Sequence, residues 1–180
     1  SGSNKVLKLM NRKHTIEDFI KTYEKLKDIN PKIEFSSDFI ISYPGEDEND
    51  FNDTLKLINK IKFYNSFSFI FSPRPGTAAS NLKLIDKEIC KRRLEKVQKE
   101  LFDNQISKNK SLEGKEIEVL VENKTNKNNE YFGRSEYMTS VIFDGNDDDV
   151  GQVVKVKITS SNQNTLFGEK NNKIEKKRVA

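Results

Sequence analysis

The chain has 180 residues, one cysteine, no tryptophan, and 32 Lys and Arg against 28 Asp and Glu, a formal net charge of +4. That length allows one ordinary domain or two small ones, and a lone cysteine excludes both an internal disulfide framework and a multi-cysteine metal cage held by this chain alone. No run approaches the roughly 20 apolar residues of a membrane helix and no secretory leader is visible, so the expectation is a cytoplasmic chain with no membrane partner. The charge is uneven: residues 113–169 hold 6 basic and 11 acidic side chains, a net −5, while residues 170–180 hold 5 basic and 1 acidic. Net charge by itself is therefore a weak argument for nucleic acid.

In chain order, Ser1-Gly2-Ser3 reads in isolation as a cloning scar. Thr15 then serves as an N-cap with Asp18 as its capping-box partner, and Ile16, Phe19, Ile20, Tyr23 and Leu26 recur at helical spacing. Asn30-Pro31 ends that helix. The apolar run 33–43 predicts a buried strand, Pro44-Gly45 a turn, and Phe51, Leu55, Ile58 and Ile61 the next helix, with Glu46, Asp47, Glu48 and Asp50 at its positive end. A second strand is predicted over 66–71, and strand–helix–strand order implies parallel pairing. A helix over 86–107 follows, with Ile89, Leu94, Val97, Leu101 and Phe102 as its apolar side. Five short β-rich runs then appear at 117–121, 131–136, 140–143, 153–159 and 165–167, separated by Asn- and Asp-rich turns, the pattern of a small OB-like barrel. The expected organisation is 1–112, 113–169 and a basic, disordered tail at 170–180.

Most chemistry-bearing residues have plain readings. His14 has no partner at ligand spacing, and Cys90 lies in a predicted helix as an inert, partly buried thiol. Asp144, Asp147, Asp148 and Asp149 lack the EF-hand pattern and read as a solvated turn. Three segments stand apart: Ser1–Ser3 running into Met10-Asn11-Arg12, Asp38–Glu46, and Phe71-Ser-Pro-Arg-Pro-Gly-Thr77. The two prolines flanking Arg74 fix its direction, which suits an arginine presented to an anion.

Taken together, Ser1-Gly-Ser-Asn-Lys-Val-Leu-Lys-Leu-Met-Asn-Arg-Lys-His-Thr15, Ser37-Asp-Phe-Ile-Ile-Ser-Tyr-Pro-Gly-Glu46 and Phe69-Ile-Phe-Ser-Pro-Arg-Pro-Gly-Thr-Ala-Ala79 resemble the methylthiotransferases, a radical S-adenosylmethionine (SAM) family. Gly114, Val119–Glu122, Gly133-Arg134, Val141–Phe143, Gly151 and Leu166–Glu169 resemble the family's terminal TRAM domain. The resemblance implies an α/β plus all-β fold: the C-terminal part of a radical SAM partial (β/α) barrel followed by a small OB-like β-barrel. It implies that Ser1–Ser3 is native, and that the chain is roughly the last two-fifths of an enzyme whose two 4Fe-4S clusters are held by cysteines upstream of Ser1.

The implied reaction cleaves SAM reductively and adds a methylthio group to C2 of N6-isopentenyladenosine beside the tRNA anticodon. The implied partners are the tRNA anticodon stem-loop and an electron donor such as flavodoxin or ferredoxin, with the enzyme a monomer. Ser1 and Ser3 are then expected near the SAM ribose, Arg12 near its carboxylate, and Ile41, Ser42, Pro44 and Gly45 against its adenine, with Ser42 standing where many relatives have Gly. Arg74, Phe132, Arg134 and Lys115 are the expected substrate and RNA contacts, with Lys124 and Lys127 as a basic rim. Pairing of Arg12 with an acidic neighbour, and barrel-core packing of Phe132, are the structural alternatives. The Arg-Pro pair favours the tRNA branch. Branches acting on a ribosomal-protein aspartate or on threonylcarbamoyl-adenosine tRNA, and a non-catalytic RNA-binding module, are the alternatives.

Overall fold

Two helices of the N-terminal half begin by the same device. Thr15 and Asp47 each accept from the backbone N–H three residues on, and Asp18 and Asp50 each reach back to the N–H of the cap, which satisfies donors that a helix start otherwise leaves orphaned. These caps open α2 (Ile16–Ile29) and α3 (Glu48–Ile61) in a computed structural model that describes residues 1–170. A shorter helix, α1 (Asn4–Leu9), precedes them, with Ser3 as its N-cap. Its 6 residues are under two turns, too few for the apolar spacing to announce.

By packing, the chain divides into Ser1–Asn104 and the part from Gln105 onward. In the first unit β1 (Asp38–Ile41) pairs in parallel with β2 (Phe67–Ile70), as strand–helix–strand order predicts. The expected strand over 33–43 is cut to four residues because β2 offers only that much backbone to pair with. Ile33 and Phe35 are half-buried outside it, the Phe35 ring 4.9 Å from that of Tyr23 in α2. Period-two alternation sends Phe39 and Ile41 into a core with Phe51, Leu55, Ile58, Phe63, Val97 and Leu101. Phe67 and Phe69, by contrast, are 64% and 54% exposed. Helix α4 (Lys87–Lys110) buries Cys90, Arg93, Val97 and Leu101, spaced three to four apart. Phe102, expected on that side, lies one residue off the stripe and is exposed.

In the second unit five strands close a barrel: β3 (Glu116–Lys124), β4 (Glu130–Ser135), β5 (Ser140–Asp144), β6 (Val153–Ser161) and β7 (Thr165–Lys170), in the order β3-β4-β5-β7-β6. Only β5 and β7 run parallel. Alternate residues fill the interior, among them Val119, Val121, Tyr131, Val141, Phe143, Val156, Ile158 and Leu166. Closure depends on Gly133 and Gly168, where a Cβ would overlap the carbonyl oxygens of Leu120 and Lys157 on neighbouring strands. Lys170, expected in the tail, belongs to β7 and binds Asp149 at 2.6 Å. The rest of the expected disordered tail, 171–180, lies outside the described residues. Among the described residues no helix is long and apolar enough to cross a membrane.

Candidate functional site

The Ser1–Ser3 segment is built into the first unit. Gly2 donates its N–H to Thr54 Oγ1 at 2.9 Å, and a Cβ at Gly2 would overlap the Asp53 carbonyl oxygen, so only glycine fits against α3 there. That contact counts against the scar reading. Ser3 Oγ donates to Asp50 Oδ1 at 2.6 Å and accepts from Val6 N–H at 3.3 Å. Its hydroxyl, expected beside a ribose, is thus committed within the protein. Ser1 is half-buried and accepts from the Ser3 N–H at 3.2 Å. With Arg12, His14 and Asp38 it lines a cleft of about 250 Å³. Asn11, at φ 58°, ends α1 and turns Arg12 outward, where its guanidinium makes no hydrogen bond or ion pair among the described residues. The alternative of an acidic partner for Arg12 therefore has no counterpart there.

The segment after β1 forms a tight turn. Ile41, Ser42 and Pro44 are buried and Gly45 is exposed at φ 91°. Glu46 N–H donates to Tyr43 O at 2.9 Å, and Tyr43 Oη donates to Leu9 O at 3.2 Å, so α1 covers the turn. Ser42 sits at φ 60°, a region L-residues other than Asn and Asp seldom occupy, and its buried hydroxyl has no partner among the described residues. Ser42 N–H donates to Glu46 Oε1 at 3.1 Å. Glu46 in turn meets Arg93 Nη1 at 3.1 Å, with both side chains buried, and Arg93 Nη2 meets Glu48 Oε2 at 3.1 Å. Burial pushes the Glu46 carboxyl above its ordinary value, while the Ser42 N–H and Arg93 oppose that rise. Arg93 is a functional candidate the motif reading missed. Its signal was an arginine on the buried Cys90–Arg93–Val97–Leu101 stripe, since a buried guanidinium requires an acid.

Beside the turn, Lys5 Nζ bridges Asp47 at 2.7 Å and Asp50 at 2.8 Å. Its hydrogen bond is the largest cause holding Asp47 down to about 2. At Asp50 burial pulls upward but is outweighed by Lys5, Ser3 and the Asp47 N–H, leaving a net lowering. Arg74, beyond β2, is exposed and its carbonyl accepts from Thr77 N–H and Oγ1 at 3.2 and 2.8 Å, so the Pro-Arg-Pro loop is a formed turn. Arg74 does not line the Ser1–Arg12 cleft.

On the barrel, Tyr131 fills the core and Phe132 points outward, half-buried, which decides against core packing for Phe132. The Arg134 guanidinium lies 5.1 Å from the Phe132 ring, donates to Met138 O at 3.2 Å and Ser140 Oγ at 3.3 Å, and has Glu122 at 3.7 Å. Register places Phe132 opposite Ile142 and Ile142 opposite Phe167, an outward row that strand-by-strand reading did not assemble. Lys115, one residue before β3, is exposed but five residues from Leu120, the partner of Arg134, roughly 17 Å at strand rise. The structure does not bring Lys115 to Arg134. Lys124 and Lys127 are engaged by Asp147 and Glu130. Asp147 also accepts from Tyr131 Oη at 2.6 Å and Asp149 binds Lys170, so the acidic turn is tied down rather than simply solvated.

These donors suit SAM in part. The free Arg12 guanidinium and the half-buried Ser1 share one cleft and offer donors for a polar ligand with a carboxylate, whereas the orphaned Ser42 hydroxyl is buried and, like the rest of the Ile41–Gly45 turn, does not line that cleft. They do not suit a 4Fe-4S cluster: the only cysteine, Cys90, is buried with its Sγ 3.6 Å from Ile85 O. Among the described residues no group of three or more His, Cys, Asp or Glu is placed to hold a metal ion.

Residues 1–58 match the Radical SAM superfamily and residues 110–170 match the TRAM domain. Over 180 residues, all of this chain and 40% of the relative, the sequence is 64% identical to the tRNA-2-methylthio-N(6)-dimethylallyladenosine synthase of Pelagibacter ubique strain HTCC1062. Proteins of the same name from Ruthia magnifica and Wolbachia pipientis wMel are 46% and 42% identical over 93% of this chain and 38% and 39% of their own lengths. The chain thus spans about two-fifths of the length of these relatives. The chain therefore carries a Radical SAM segment and a TRAM domain, the latter a closed five-strand barrel, and is similar over its whole length to part of a protein named tRNA-2-methylthio-N(6)-dimethylallyladenosine synthase.

Proposed function

We propose that this chain is part of a tRNA methylthiotransferase that adds a methylthio group to C2 of N6-isopentenyladenosine next to the anticodon. The observation that carries the reading is 64% identity, over the whole chain, to a protein named for that product. In this reading the first unit supplies one side of the SAM cavity and the TRAM barrel binds the anticodon stem-loop. Arg12 attracts the SAM carboxylate, Ser1 donates towards the ribose, and the Ile41–Gly45 turn presents backbone and the Ser42 hydroxyl to the adenine. Buried Ile41 and Pro44 keep water from that wall. When bound, SAM supplies the radical chemistry at C2. The 4Fe-4S clusters are assigned to residues other than these, because one buried cysteine cannot ligate them. Arg74 contacts substrate RNA, and Phe132 with Arg134 offers a ring face and a cation to an unstacked base and its phosphate. The whole enzyme works as a cytoplasmic monomer with a flavodoxin- or ferredoxin-type electron donor.

The test is anaerobic turnover by the full-length protein, with reconstituted clusters, SAM, a reductant and isopentenylated tRNA. The expected result is 2-methylthio-N6-isopentenyladenosine in the nuclease digest. Product only on threonylcarbamoyl-adenosine tRNA or on a ribosomal-protein aspartate would move the enzyme to a sister branch. RNA binding with no modification of any of the three would leave a non-catalytic RNA-binding module.

A further inference from the structure

Ser42 holds a left-handed backbone conformation at φ 60°, in a turn that contains no other non-glycine residue at positive φ. Such a conformation is unfavourable for an L-residue and persists only where its surroundings fix it. The fixing group is the Glu46 carboxylate, which accepts the Ser42 N–H at 3.1 Å. Glu46 is fixed by Arg93, 47 residues away in sequence, whose Nη1 reaches both the Glu46 carboxylate at 3.1 Å and the Glu46 carbonyl at 3.3 Å. Arg93 is seated by Glu48 through Nη2 at 3.1 Å and by the Phe51 ring, 5.2 Å from its Cζ. Both terminal nitrogens are thus taken up by the protein, and although Nε has no partner among the described residues the side chain is 5% exposed, so burial rather than saturation keeps Arg93 from a ligand.

From this chain of contacts we infer that Arg93 is a positioning residue for the cofactor turn, acting through Glu46 to hold Ser42 in the conformation that receives SAM. The inference rests on the proposed placement of SAM against the Ile41–Gly45 turn. A planar fork is needed because one guanidinium must meet a carboxylate, a carbonyl and a second carboxylate at once, which an ammonium on a flexible stem does not reproduce. A residue that merely tethers α4 would alter global stability and leave ligand affinity in the folded protein unchanged.

The test measures SAM affinity by equilibrium dialysis, without turnover, on the full-length reconstituted protein at a temperature where each variant is folded. Arg93→Met is expected to weaken SAM binding about tenfold and to speed hydrogen exchange over residues 42–47. Arg93→Lys is expected to lie between Arg93→Met and wild type, and it carries the test if Arg93→Met does not fold. Because glycine adopts positive φ without help, the Arg93→Met loss is expected to shrink below about twofold in a Ser42→Gly background. Wild-type affinity in Arg93→Met, or the same tenfold loss with and without Ser42→Gly, overturns the positioning role while leaving the cofactor reading intact. A wild-type protein that does not hold SAM overturns the cofactor reading and this inference with it.

Discussion

Ser3 Oγ donates a 2.6 Å hydrogen bond to Asp50 Oδ1 and accepts from Val6 N–H at 3.3 Å, so one hydroxyl joins the start of α1 to the first turn of α3. Ser3→Ala removes the α1 cap, worth about 1 kcal/mol. It also takes a donor from a buried carboxylate oxygen, worth about 1–3 kcal/mol. A loss of about 2–4 kcal/mol in urea unfolding is expected from these two effects. A Ser3→Ala protein within about 0.5 kcal/mol of wild type would show that the pair is incidental.

The same network sets an acid limit. Lys5 is the largest cause of the low Asp47 value, about 2 against an ordinary 3.8, and Asp50 is lowered as well. A folded value below the unfolded one means that the contribution is present above the unfolded value and is lost as pH falls through the folded value. The window is therefore about pH 4 down to 2. Lys5→Met should flatten the fall in melting temperature across that window and leave the profile above pH 5 nearly parallel to wild type. An unchanged acid slope would show that the ion pairs do not persist in solution.

Glu46 carries the opposite sign. Burial raises its carboxyl above the ordinary 4.5, and the Ser42 N–H and Arg93 hold the rise in check. With a raised folded value, stability is fully present below 4.5 and is lost as pH climbs through the folded value. Arg93→Met removes one check, so its cost must grow with pH. Breaking a buried pair by removing one partner costs about 3–5 kcal/mol where the other stays ionised. The expectation is a loss of that order at pH 7.5 and a much smaller loss at pH 4, by urea unfolding at both. An equal loss at both values would assign the effect to packing on Phe51 rather than to charge.

How far the sequence carried is visible in individual residues. The Thr15–Asp18 capping box, the apolar spacing and acidic start of the 48–61 helix, and the short β-rich runs of the barrel are local signals, so α2, α3 and β3 to β7 were legible. The length of β1 was not, because it depends on how much of β2 there is to pair with. Phe132 was ambiguous because alternation fixes that Tyr131 and Phe132 face opposite ways but not which faces the core. Arg93 was half legible: its place on an apolar stripe demands an acid, but nothing local says that the acid is Glu46, on the far side of α3 in the chain. The family motif led to the Pro44-Gly45 turn, and tertiary contacts alone revealed what holds it.

Arg134 gives the most direct check on the barrel. Its guanidinium already rests over the Phe132 ring and donates to Met138 O and Ser140 Oγ, with Glu122 at 3.7 Å, so cation and ring face are pre-arranged. These contacts are partly exposed, and Arg134→Ala should cost the fold less than about 1 kcal/mol. Under the proposed RNA role, the same change removes one phosphate or base contact. Affinity for an anticodon stem-loop RNA should fall about tenfold, and the slope of log affinity against log salt should shrink by about 0.7 if the lost contact is to a single-strand phosphate. Phe132→Ala should weaken binding with little change in that slope, because stacking releases no counterion. Lys115→Ala, roughly 17 Å away at strand rise, should do less than either. Unchanged RNA affinity in Arg134→Ala removes this arginine from the interface. An equal loss in Lys115→Ala would instead mean that diffuse charge, not the Phe132–Arg134 pair, carries the binding.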